Sequence, residues 1–109
     1  MVVIGGFGKI ILIDFIKLTI EGIIEDIRIK EHYILSLLKV SDDFILYGNE
    51  PDNEYDSRDC HLGIINMKTR KIQEIKNGIE YRSIISMIYI NDNTIAIGGH
   101  SSIHLIQIK

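Results

Sequence analysis

The sequence predicts an all-β protein built from short antiparallel strands. Its 109 residues include 26 isoleucines and a single alanine, Ala96. Isoleucine is β-branched and suits strands, whereas alanine is the strongest helix former. The apolar runs are short and end at glycine, asparagine or aspartate, which are the residues typical of turns. A hydrophobic fraction of 46% is too high for a disordered chain.

An internal repeat sets the length of the structural unit. Residues 3–14 match residues 96–107 through the pattern Ile-Gly-Gly-x-x-x-Ile-x-Leu-Ile, and a middle copy joins residues 44–49 to residues 60–66. Residues 34–43 also align without gaps to residues 84–93. The spacing is 43 residues from Gly6 to Asn49, and 50 from Asn49 to Gly99, or 41 without the nine extra residues 51–59 of the middle copy. The period is therefore near 42 residues.

Each unit is predicted to contain four strands, which gives about ten strands in the chain. The units cover about residues 1–27, 33–76 and 83–109, and the first unit begins at its second strand and ends with a strand near residues 20–27. The last strands are expected at residues 71–76, 83–90, 94–98 and 102–108, with a hairpin turn at Asn91-Asp92-Asn93. Adjacent apolar residues such as Ile84-Ile85 indicate strands covered on both faces, as in stacked sheets.

Four-stranded units of this length, buried on both faces, are typical of β-propeller blades. The chain also resembles the WD-repeat family, because Ile13-Asp14, Ile65-Asn66 and Ile106-Gln107 stand where that family carries Trp-Asp. It departs from the family pattern in having no tryptophan, and in having Ile29-Lys30 and Ile79-Glu80 in place of the family's Gly-His pair. The resemblance implies a partial propeller of about two and a half blades with a noncatalytic, protein-binding role.

Charge and cysteine content narrow the classes of partner and compartment. The net charge is −3, so the chain lacks the basic excess that phosphate binding needs, and we expect no nucleic-acid partner. The single cysteine, Cys60, excludes an internal disulfide and favours a reducing compartment. Lys9 and Asp14 interrupt the apolar N-terminus, which is too short for a membrane span. We predict a soluble cytoplasmic or nuclear chain with no signal peptide, transmembrane segment or membrane partner.

The glycine-rich segment Gly5-Gly6-Phe7-Gly8-Lys9 is predicted to be a hairpin turn. A phosphate-binding P-loop needs Gly-Lys followed by serine or threonine, whereas Ile10 follows Lys9 here. The same glycine pair recurs at Gly98-Gly99, which a turn in a repeated unit explains. No cofactor is predicted.

The acidic insertion at residues 50–59 is the candidate partner-binding loop. Its acidic side chains alternate as calcium ligands do, but the glycine and the downstream glutamate of an EF-hand loop are absent. We therefore predict a solvated loop that contacts a basic protein surface rather than a metal site. The candidate residues are Glu50, Asp52, Glu54, Tyr55, Asp56, Arg58 and Asp59.

The remaining polar residues are predicted to be structural. His100 and His104 are separated by a turn and have no local acid or cysteine partner, so a metal pair there is the less favoured alternative. The other histidines are His32 and His61. Cys60 and His61 are neighbours that would point to opposite faces of a strand, so Cys60 is expected to be buried rather than nucleophilic. Ser36 and Ser86 occupy equivalent positions of two units, which favours a structural hydrogen bond in each.

The sequence thus predicts a noncatalytic interaction or scaffold module with unidentified protein partners. Propellers close with about four to eight blades, so we expect a segment of a larger propeller, a chain that oligomerises through open blade faces, or a truncated product. One alternative is a propeller enzyme whose catalytic residues lie in other blades. Another is a structural assembly subunit that uses its open blade faces.

Overall fold

The computed structural model describes residues 2–51, 60–76, 81, 83–99 and 102–108. This part of the chain is all-β, as predicted, and contains ten strands and no helix. No helix within these ranges could cross a membrane. The strands are β1 Val2–Gly5, β2 Ile10–Asp14, β3 Thr19–Ile24, β4 His32–Lys39, β5 Phe44–Pro51, β6 Leu62–Asn66, β7 Lys71–Glu74, β8 Ser86–Asn91, β9 Thr94–Gly99 and β10 Ser102–Gln107.

The strands form three separate antiparallel sheets, each made of strands that are consecutive in sequence. The first sheet has the order β1-β2-β3, the middle sheet β4-β5-β6-β7, and the third sheet β10-β9-β8. Every paired neighbour is antiparallel. In repeat terms β1, β5 and β9 are equivalent second strands, and β4 and β8 are equivalent first strands.

The middle sheet packs between the other two, so both of its faces are buried. One apolar cluster lies on each face of the middle sheet, and successive side chains of β5 point alternately into one cluster and the other. Tyr47 belongs to the cluster shared with Ile10 and Leu12 of the first sheet. Leu46 belongs to the cluster shared with Ile95 and Ile97 of the third sheet. The adjacent apolar residues of this sheet therefore follow from packing on two sides.

The glycine-rich segment is a turn between β1 and β2, as predicted. The backbone N–H of Gly6 donates to the carbonyl of Lys9 over 3.0 Å. Gly8 has a φ of 74°, and a β-carbon there would lie 2.6 Å from the carbonyl oxygen of Lys30. Only glycine satisfies both conditions, so this position explains the residue type without any bound phosphate.

A second kind of turn recurs where β2 and β6 end. The side-chain oxygen of Asp14 accepts hydrogen bonds from the two backbone N–H groups of Ile16 and Lys17, and Asn66 does the same for the equivalent residues of the next unit. Each turn closes with a residue in the left-handed region, Leu18 or Arg70. Asp14 and Asn66 occupy equivalent positions of two repeats, and both side chains cap turns.

Four strands are shorter than predicted, because β7 ends at Glu74 and β10 at Gln107 as well, and two of them have an evident local cause. The strand expected near residues 20–27 ends at Ile24, because the Asp26 carboxylate and carbonyl fold the chain back on the backbone N–H groups of Arg28 and Ile29. The strand expected to begin at residue 83 begins at Ser86, because the N–H of Ile84 bonds to the middle sheet instead of to its own sheet. The turn predicted at Asn91-Asp92-Asn93 forms between β8 and β9.

Candidate functional site

The acidic insertion emerges from β5 of the middle sheet. Glu50 lies on that strand and pairs with Tyr33 of β4. The other predicted loop residues, Asp52, Glu54, Tyr55, Asp56, Arg58 and Asp59, lie outside the described residues. The structure therefore places the first residue of the candidate loop and the two residues that follow the insertion, Cys60 and His61.

A buried polar cluster lies at the base of this insertion, and Asn49 is at its centre. Asn49 is fully buried, and its side-chain oxygen accepts a hydrogen bond from the backbone N–H of His61 over 2.6 Å. Its side-chain nitrogen bonds to Nδ1 of His61, at 3.2 Å, and to Nδ1 of His32. One amide thus joins the start of β4, the end of β5 and the chain that enters β6.

The roles of the hydrogen-bonding atoms follow from the Asn49 amide. An amide nitrogen only donates, so Nδ1 of His61 accepts and its Nε2 carries the proton. That Nε2 lies 2.7 Å from the hydroxyl oxygen of Tyr47, and the two rings meet edge to face. Burial, followed by the negative charge of Asp26, raises the pKa of Tyr47. The phenol therefore stays protonated and accepts the hydrogen bond from His61.

Cys60 is buried, as predicted, and faces the cluster between the middle and third sheets. Its thiol donates to the backbone carbonyl of Asn49 over 3.1 Å. Burial, followed by the negative charge of Glu50, raises the pKa of Cys60 from 9.0 to about 12. At neutral pH the thiol is protonated, so it is a poor nucleophile and metal ligand.

The cluster is therefore suited to holding the ends of the insertion together. Every buried side-chain nitrogen or oxygen among the described residues has a hydrogen-bond partner. Within the same ranges no three histidine, cysteine or acidic side chains converge on a metal position. The sequence alone did not predict this cluster, although it contains one signal: Asn49 occupies the place of Gly6 and Gly99 in the other two repeats.

The other polar candidates have separate positions. His104 packs edge to face against Tyr81, at 5.2 Å between ring centroids, and His100 lies outside the described residues. The Ser36 hydroxyl donates to the carbonyl of Ile84 over 3.4 Å, which confirms a structural hydrogen bond between the middle and third sheets. Ser86, its repeat equivalent, is exposed on the far side of the third sheet.

The first sheet has an aliphatic outer surface, which we call the N-face. Ile10 and Leu12 of β2 point to the middle sheet, so the alternating residues of β2 and their cross-strand partners point away from it. Ile20 is 63% exposed and Ile4 is 44% exposed. The N-face consists of Val2, Ile4, Ile11, Ile13, Ile20 and Ile23.

The third sheet has a corresponding outer surface, which we call the C-face. Ile95 and Ile97 of β9 are buried against the middle sheet, so Ala96 and Gly98 face outward with their partners on β8 and β10. Ile103 is 77% exposed and Leu105 is 64% exposed. The C-face consists of Ser86, Ile88, Ala96, Gly98, Ile103 and Leu105.

These two faces are the strongest candidate binding surfaces in the described part of the chain. Scattered exposed aliphatic residues are ordinary, but a contiguous aliphatic sheet face marks a site where another surface packs. When the chain was compared with known protein families, curated proteins and solved structures, nothing matched.

Proposed function

We propose that the chain is a noncatalytic protein–protein interaction or scaffold module of the WD-repeat type, and that its three sheets are blades of a β-propeller. The observation that carries the proposal is the pair of aliphatic outer faces on a stack of three sheets. A propeller needs about four to eight blades, so both faces would be covered by further sheets in the functional assembly. The partners are proteins, because apolar faces and a net charge of −3 suit protein surfaces better than nucleic acid.

The propeller assignment is supported by the way successive sheets meet. Gly5 of β1 packs on Ile34 of β4, and its repeat equivalent Gly48 packs on Ile84, which is the equivalent of Ile34. The backbone bonds recur as well. The N–H of Ile34 donates to the Gly6 carbonyl over 3.0 Å, and that of Ile84 donates to the Asn49 carbonyl over 3.2 Å. The same contact is thus made twice with the same polarity, as successive blades require.

The noncatalytic assignment is supported by the state of the polar cluster. Its phenol and thiol are held protonated by burial, and its amide and imidazole groups are engaged with one another. Such a cluster stabilises a backbone position and offers no activated nucleophile.

The outer-face proposal is tested by affinity capture with matched lysine variants. Ile88→Lys with Leu105→Lys places two charges on the C-face, and Thr69→Lys with Gln73→Lys adds the same charge at exposed positions away from both faces. Bound proteins from cells that express the chain are quantified by mass spectrometry. We expect the C-face variant to lose captured proteins that the control keeps, because a charge in an apolar interface must be desolvated. An identical set of proteins on both variants would contradict the proposal.

The acidic insertion is a second, separable contact in this proposal. Its local net charge is −4, which suits a basic partner surface. Replacing Asp52, Glu54, Asp56 and Asp59 by their amides is expected to slow the association of such a partner and to reduce its salt dependence. Association rates measured at low and high salt would test this. Unchanged rates at both would remove the insertion from the interface.

A further inference from the structure

We infer that the partner of the two outer faces is a second copy of this chain, bound head to tail, so that the C-face of each copy packs on the N-face of the other. This inference rests on the proposed function, since it names the occupant of the faces proposed there. Two copies would form a ring of six sheets, which falls within the range of about four to eight blades at which propellers close.

The polarity of the sheet contacts carries the inference. At each of the two junctions within the chain, one sheet contributes the face that carries a glycine, Gly5 in the first sheet or Gly48 in the middle sheet. The next sheet contributes its other face, which lies away from its own glycine. The third sheet turns its own glycine side outward, because Gly98 belongs to the C-face. The first sheet turns its other side outward as the N-face. The exposed faces are therefore the two complementary halves of a contact that the chain already makes twice.

The side chains of the C-face repeat the pattern of the buried junction. Ser36 bonds across to the third sheet, whereas its equivalent Ser86 points outward from the C-face. A β-carbon on Gly48 would overlap Ile84 of the next sheet. A β-carbon on Gly98 would meet only Ser86 of its own sheet, at 3.0 Å from the hydroxyl and 4.0 Å from the backbone carbonyl oxygen. The C-face thus leaves open the place that a neighbouring sheet fills at the internal junction.

The N-face offers a matching apolar surface. A row of three isoleucines crosses the first sheet, with Ile4 and Ile23 on either side of Ile11. Across the C-face a comparable row places Ile88 and Leu105 on either side of Ala96. Packed face to face at the usual spacing of about 10 Å, the branched side chains of one row would meet the small residue of the other.

The junction between copies would differ from the internal ones in one respect. At the internal junctions Ile34 of β4 and Ile84, just before β8, pack on the glycines, and within the described residues the N-face carries no equivalent isoleucine. The junction between copies therefore rests on the aliphatic rows alone. We expect it to be weaker than the internal junctions and to dissociate before the chain unfolds.

The two outer faces differ from each other, which favours a second copy as the occupant. The N-face and the C-face each carry several exposed aliphatic side chains, such as Ile20 at 63% and Ile103 at 77%. A single foreign partner would have to present two different surfaces, whereas a second copy presents both.

The first test is the mass of the chain by sedimentation equilibrium. We expect a species of twice the chain mass that dissociates on dilution. We expect monomers for an N-face variant, Ile4→Lys with Ile23→Lys, and for the C-face variant, Ile88→Lys with Leu105→Lys. The control, Thr69→Lys with Gln73→Lys, should stay dimeric. A ladder of higher masses would overturn the two-copy ring, because a head-to-tail contact that does not close forms filaments.

The decisive test mixes the N-face and C-face variants, each first shown by circular dichroism to keep its β-sheet spectrum. The mixture restores one intact C-face opposite one intact N-face, so we expect a one-to-one heterodimer that neither variant forms with itself. A C-face variant that still dimerises alone would mean a symmetric N-face contact and would overturn the inference. So would an unmodified chain that stays monomeric at high concentration. If that monomer still captured other proteins through its outer faces, the proposed function would stand without this inference.

Discussion

At the scale of single residues, Asn49 is the position where the fold depends most on one polar side chain. Its side-chain amide bonds to the backbone and ring of His61 and to the ring of His32. Its backbone carbonyl accepts hydrogen bonds from the Cys60 thiol and the backbone N–H of Ile84. Composition could not predict this, because each partner is distant in sequence. The burial of Cys60 could be predicted, since a lone thiol in an apolar context is ordinarily buried.

Asn49→Ala should lower the free energy of unfolding by about 1–3 kcal/mol, because it leaves the buried N–H of His61 without its acceptor. The control is Asn91→Ala, which removes an exposed turn bond to the backbone of Asn93 and should cost less. Urea denaturation of both variants measures the difference. Equal losses would show that the buried amide has no special role.

The raised pKa of Cys60 predicts slow alkylation in the folded chain. A shift from 9.0 to about 12 lowers the thiolate fraction at pH 8 on the order of a thousand-fold relative to the unfolded chain. Iodoacetamide rates in buffer and in urea measure this, with Thr69→Cys in a Cys60→Ala background as the exposed control. A native rate equal to that of the control would contradict the burial of Cys60.

The raised pKa of Cys60 also predicts that the free energy of unfolding decreases at alkaline pH. The unfolded thiol loses its proton near pH 9, whereas the folded thiol keeps it to about pH 12. The contribution of Cys60 is therefore complete below pH 9 and is lost as the pH rises from about 9 to about 12. The Cys60→Ala variant should show a shallower loss of stability across that interval.

At the scale of elements, the repeat predicted the strands well because turn residues and apolar alternation are local signals. The turns at Gly8 and Asn91 and the all-β fold class could be predicted directly from such signals. Strand ends were harder to predict, because they depend on contacts that the local pattern does not contain. Ile27 looked like a strand residue, yet the turn at Asp26 leaves it 86% exposed. The contact between Gly48 and Ile84 joins two sheets and is also invisible to a local pattern.

Gly48→Ala should destabilise the chain by about 1–3 kcal/mol, because the added methyl overlaps Ile84 at the junction of the middle and third sheets. The repeat-matched control is Gly98→Ala, whose methyl meets only Ser86 and lies nearest its rotatable hydroxyl. Thermal unfolding compares them at concentrations where the chain is monomeric. Adding Ile84→Ala to Gly48→Ala should cost less than the sum of the two single changes. Strict additivity would contradict the contact.

At the scale of the whole molecule, three stacked sheets cover both faces of the middle sheet and leave two aliphatic faces outward. The many isoleucines lie both in the buried core and on the outer faces, since Ile65 is fully buried while Ile103 is 77% exposed. The sequence indicated sheets covered on both sides, but it could not show which sides would remain open. That depends on the order in which the sheets stack.

Isoleucine methyl NMR with a soluble paramagnetic agent tests the stacking of the sheets and the pairing of the outer faces most directly. Spectra of the unmodified chain are compared with those of the C-face variant, Ile88→Lys with Leu105→Lys. We predict strong relaxation of Ile20 and Ile103 in the variant, protection of both in the unmodified chain, and protection of Ile65 and Ile84 in both samples. Equal relaxation of Ile20 and Ile103 in the two samples would contradict the head-to-tail contact, and strong relaxation of Ile65 would contradict the stacking of the sheets.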